Sequence, residues 1–206
     1  MVESLLTALV GALIFGTAGL CGLLLAMVVV PRLKALPDGP APMRVHPAVL
    51  VAGAALLGGI LGFKRLPNPE FIIEALTVIP LVAIWYCDAL TGIVPDVFTL
   101  IPLGLALIYE LILKQPMAFA SAAVLFIVFG AFAFFSKGRG MGWGDAKLAA
   151  FGGAMLGMKD ATLAFGVAAL AAVIVASVRH RSKPVPIAFA PYLVLAMAVT
   201  MAIASR

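Results

Sequence analysis

Charge is what this sequence lacks. Of its 206 residues, 11% are charged and 64% are hydrophobic, whereas a soluble domain carries about 25% charge. That excludes an ordinary soluble fold and predicts an integral membrane protein, embedded along nearly its whole length. No tail or loop is long enough for a soluble domain. Cysteine is scarce as well: Cys21 and Cys87 lie singly in apolar segments, without the CxxC pairing of a zinc site or a disulfide framework. The two histidines, His46 and His180, are isolated and read as solvated loop residues. No metal or other cofactor is expected. The opening stretch MVESLLTALV has no basic n-region and no clear small-residue cleavage site, so it reads as the start of a span.

What the chain has is long apolar runs. A spanning helix needs roughly 20 apolar residues, and breaks at Pro, Gly and charge clusters divide the sequence into 4–30, 47–63, 71–87, 97–113, 118–135, 146–158, 161–178 and 187–204. The division between the last two internal segments rests on Gly157 and Lys159–Asp160. The expectation is an all-α, polytopic transmembrane bundle of about eight spans (six to eight), forming one domain over 1–206 with a short loop at 31–46.

A net charge of +5 would suggest nucleic acid in a soluble protein. Here the basic residues sit in short loops, where they set orientation. No nucleic-acid partner is expected, only membrane lipid. Loops after odd-numbered spans carry Arg32, Lys34, Arg44, Lys137, Arg139, Arg179, Arg181 and Lys183, against Lys64, Arg65, Lys114 and Lys159 after even-numbered ones. The first set is therefore expected in the cytoplasm and both termini outside it.

Ionisable groups inside a membrane mark function. Of nine acids, Glu3, Asp38, Glu70 and Asp160 fall in loops or at the terminus, and Glu74 and Glu110 near the non-cytoplasmic ends of their spans. Asp88, Asp96 and Asp145 remain, all on the cytoplasmic side. Aspartate is a favoured N-cap, which suits Asp96 after Pro95 and is open to Asp145. Asp88 has no such reading. It follows the apolar run AIWYC at a helix C-terminus, where the macrodipole disfavours negative charge.

Two carboxyls brought close cannot both ionise easily. Such a pair can hold a water, one member taking its proton while the other polarises a peptide carbonyl. The helix-end argument expects Asp145 as the base and Asp88 as the acid. The stretch SKGRGMGWGDAKLAA places Gly138, Gly140, Gly142 and Gly144 before Asp145. Glycines there remove side chains that would block an extended substrate strand, and permit unusual dihedrals. A plain flexible loop is the alternative.

Asp88-x-x-Thr91-x-x-Val94-Pro95-Asp96 followed by Gly140-Met141-Gly142-Trp143-Gly144-Asp145-Ala146-Lys147-Leu148 resembles the type IV prepilin peptidases. These are aspartic proteases of the membrane that share the GxGD motif with presenilin-type enzymes. The likeness continues through AAFGGAMLG and Pro186-Ile187-Ala188-Phe189-Ala190-Pro191, covering roughly 70–200. It implies removal of the basic leader from prepilins or pseudopilins at the cytoplasmic face of the inner membrane. It maps the catalytic pair onto Asp88 and Asp145, with Gly140, Gly142, Gly144, Pro95, Asp96 and Lys147 in binding or supporting roles. Lys147 either orients the dyad or holds a substrate carboxylate; a snorkelling interfacial lysine is the other reading.

Larger members of that family carry a long loop after the first span, often with two CxxC pairs, and methylate the new N-terminus using S-adenosylmethionine. The loop PRLKALPDGPAPMRVH has no cysteine, so a compact, peptidase-only form is expected. The rival is a small proton- or cation-coupled transporter or channel using the same carboxylates, though transporter sites usually lie near the midplane.

Overall fold

The computed structural model describes residues 2–33, 46–66, 68, 70–136, 141–179 and 188–203. Every element among them is helical: α1 (Val2–Val29), a 3-10 turn (Val30–Arg32), α2 (Pro47–Arg65), α3 (Glu70–Thr91), α4 (Asp96–Ile112), α5 (Met117–Phe135), α6 (Trp143–Arg179) and α7 (Ala190–Ile203). Five of these are long and apolar enough to cross a membrane by length and composition.

The longest hides two passes. Unbroken, the 37 residues of α6 would run about 55 Å, far beyond a hydrocarbon core of about 30 Å. Gly157 interrupts it with φ 78° and ψ 168°, a conformation open essentially to glycine alone. The chain then folds back. A Cβ on Gly152 would lie 2.3 Å from the Phe165 ring, although a continuous helix would hold those residues about 20 Å apart. The two arms, 143–156 and 158–179, are the sixth and seventh apolar segments, divided at the expected glycine. Each of the eight expected segments therefore contains a helix among the described residues.

Small residues set how the helices meet, as close packing in lipid requires. A Cβ on Gly11 of α1 would sit 2.1 Å from Gly58 O of α2, and one on Gly62 would sit 2.5 Å from Thr7 O. These pairings make α1 and α2 antiparallel. Contacts of Phe15 with Phe71 and of Gly22 with Ile79 make α1 and α3 parallel. The first arm of α6 lies antiparallel to α5, with Gly153 against Ser121 and Trp143 against Gly130. Two apolar clusters fill the interior. One holds Phe15, Leu61 and Phe71; the other holds Leu148, Phe151, Phe165 and Met197. Large apolar side chains such as Leu105, Ile127 and Phe132 cover the outside, a surface suited to lipid.

This packing collects the C-terminal ends of α1, α3 and α5 with the N-terminal ends of α2, α4 and α6. That is the site end. The opposite end corrects one expectation. Glu74 is not an interfacial carboxylate but a buried one, only 6% exposed, because Arg65 of α2 pairs with it.

Candidate functional site

Asp88 lies in the last turn of α3. The helix stops there because Gly92, at φ 68°, donates its N–H to Asp88 O at 2.9 Å, a glycine C-terminal stop. Thr91 secures the turn, donating to Cys87 O at 2.7 Å and accepting the Ile93 N–H at 3.2 Å. The Asp88 side chain is buried, 4% exposed. Its Oδ2 accepts the N–H of Ala190, at 3.1 Å. Ala190 is the first residue of α7, so Asp88 stands at two helix ends at once. The C-terminal dipole of α3 disfavours its charge, and the N-terminal dipole of α7 favours it. The helix-end argument alone therefore does not single out Asp88 as the acid.

Asp145 is the third residue of α6, so it is not the N-cap. It reaches back instead: its Oδ2 accepts the Gly142 N–H at 3.0 Å, while its own N–H donates to Gly142 O at 3.2 Å. This is the carboxyl half of a capping box. The residue is 6% exposed, and its Oδ1 is buried with no hydrogen-bond partner.

The two carboxyls meet because the segment after α3 packs on the start of α6. A Cβ on Gly144 would fall 2.6 Å from Val94 Cβ, so only glycine lets the segments approach this closely. The Asp145 carboxylate is then near enough for its charge to act on Asp88. Gly144 thus makes room for the protein's own loop. A Cβ on Gly142 would meet only ordinary van der Waals contacts, with Asp145 Oδ2 at 3.8 Å and Gly144 N at 3.9 Å, and its φ is not in the left-handed region. The unusual dihedrals expected of these glycines are not found at Gly142. Gly138 and Gly140 lie outside the described residues.

Pro95 is buried and is the N-cap of α4. Asp96 is therefore the first helical residue and not the cap. Its carboxylate pairs with Lys147 at 2.5 Å, with side chains 61% and 23% exposed. The pair ties the starts of α4 and α6 together beside the two buried aspartates. It accounts for Lys147 without a contact to the dyad.

Sequence reasoning missed Ala190. Its backbone N–H carries no side-chain signature; the available signal is Pro191, a residue that favours the first turn of a helix. His180, Pro186 and Ile187 lie outside the described residues.

Chemically, the arrangement is a buried, electrostatically coupled pair of carboxyls, each accepting one backbone N–H, at one end of a helical bundle. That geometry suits activation of a water. No curated protein and no solved structure matches the chain. A family model described as the type IV leader peptidase family matches residues 75–177, half of the chain. The match contains both aspartates, the Val94–Gly144 contact and both arms of α6 almost to their end. On this evidence the chain belongs to the type IV leader peptidase family.

Proposed function

We propose that this protein is an aspartic endopeptidase of the cytoplasmic membrane that removes the short basic leader from type IV prepilins or pseudopilins. The observation that carries the reading is the burial of Asp88 and Asp145 at the same end of the bundle, within a leader peptidase family match.

In this reading one carboxylate takes a proton from a water held between the pair, and the water oxygen attacks the scissile carbonyl carbon. The protonated partner donates to the carbonyl oxygen. Collapse of the tetrahedral intermediate breaks the C–N bond, and the proton taken from water passes to the leaving amine. Since each carboxyl accepts one backbone N–H, acid and base roles belong to the coupled pair.

The substrate is a protein with a short basic leader and a long apolar helix. That helix lies among the spans and brings the junction to the site end. Arg32 and Arg179, two of the basic residues assigned to the cytoplasm by charge, lie at helix ends on that side. This supports a cytoplasmic site. The transporter reading gains no comparable support, since the carboxyls lie at helix ends and not midway along them.

The test is incubation of purified protein with a prepilin in detergent or liposomes, followed by mass spectrometry of the new N-terminus. Cleavage after the basic leader is expected. Intact prepilin, together with proton or cation flux in the same liposomes, would overturn the proposal.

A further inference from the structure

Asp88 receives a hydrogen bond from α7, a helix outside the matched residues 75–177. The other end of α7 is held by two cations at the C-terminal end of α2. Lys64 Nζ donates to Ala202 O at 2.8 Å, and Arg65 Nη2 donates to Met201 O at 3.1 Å. Cations here satisfy orphan carbonyls and complement the helix dipole. Arg65 also pairs through Nη1 with Glu74 of α3, both side chains being less than a tenth exposed.

Helix α7 is thus fastened to α3 at both ends, directly through Asp88 and indirectly through Arg65 and Glu74. Its 14 residues span about 21 Å. In between, one face of APYLVLAMAVTMAI buries Leu193, Val194 and Met197 in the core. The directional bonds at the two ends add to this packing in setting where the helix sits. A slip of one residue displaces Ala190 by about 1.5 Å, enough to break its bond to Asp88.

We propose that Arg65 and Lys64 are positioning residues for Asp88, acting through α7. The effect on cleavage rests on the peptidase reading above; the effect on α7 does not.

Hydrogen exchange across 188–203 and prepilin cleavage are therefore measured on the same preparations. Arg65→Met combined with Glu74→Leu removes both buried charges together and strands neither. The double variant is expected to unfold within a few degrees of the wild type. Ala190 should exchange about tenfold faster, as it does in Asp88→Ala, where the carboxyl partner is gone. In cleavage, kcat should fall about tenfold or more with KM within about twofold, and Arg65→Lys should recover most of it. Lys64→Ala, at the more exposed cation, should give a smaller change in the same direction.

Faster exchange confined to 199–203, with Ala190 protected as before, would overturn the proposal. So would an unchanged kcat in a preparation whose wild type cleaves. Faster Ala190 exchange with no cleavage even by the wild type would uphold the anchoring and sink the peptidase reading.

Discussion

Gly144 rests directly on Val94: a single added methyl would stand 2.6 Å from the valine Cβ. This contact joins the segment that leaves α3 to the start of α6, and so draws Asp88 and Asp145 together. Gly144→Ala should cost about 1–3 kcal/mol of stability through overpacking and reduce cleavage more than tenfold. Val94→Gly in the same chain should restore much of both losses. Gly142→Ala, whose methyl would make only ordinary contacts, should stay within a few-fold of wild type. Thermal unfolding and prepilin processing measured together test all three, and equal effects at 142 and 144 would refute the packing argument.

Replacing either buried aspartate by asparagine keeps shape and hydrogen-bond acceptance but removes the proton chemistry. Asp88→Asn and Asp145→Asn should each lower kcat by about a hundredfold to ten-thousandfold while the protein still accumulates in the membrane. Immunoblots of membrane fractions and of prepilin processing give both numbers. A single variant that processes fully would remove its aspartate from the mechanism.

Asp96 and Lys147 make an ion pair whose carboxylate side is largely exposed. Such pairs contribute about 0–1 kcal/mol. Asp96→Asn and Lys147→Met should therefore change unfolding temperature little and cleavage by only a few-fold. The charge-exchanged double variant should behave like the wild type. A loss of folding in Asp96→Asn would instead return it to a capping role.

Nothing lies within 4 Å of a Cβ on Gly157, so crowding gives no reason for glycine there. Its dihedral angles do. Gly157→Ala should cost about 1–3 kcal/mol from backbone strain alone. Loss of the tight turn would also separate Gly152 from Phe165, so cysteines at these positions should be bridged by a short bifunctional thiol reagent in the parent and poorly in the alanine variant.

The elements were legible wherever the cause was local. Gly157 with Lys159–Asp160 marks the break in α6 because glycine and charge interrupt an otherwise apolar run. Asp88 and Asp145 stood out because buried carboxyls are costly, and no cap explained the first. What escaped the sequence came from elsewhere in the chain. Glu74 looks interfacial until Arg65 of another helix covers it. Asp96 looks like a cap until Pro95 takes that position and Lys147 supplies its partner. The helix-end argument for a role split is incomplete for the same reason, because the N-terminus that opposes the C-terminal dipole of α3 belongs to α7.

That opposing helix has a temporal consequence. Ala190 comes 102 positions after Asp88, so during synthesis the carboxyl waits for its amide donor until the last helix has left the ribosome and entered the bilayer. A chain arrested before that moment would carry both aspartates without the amide that Asp88 accepts in the finished fold.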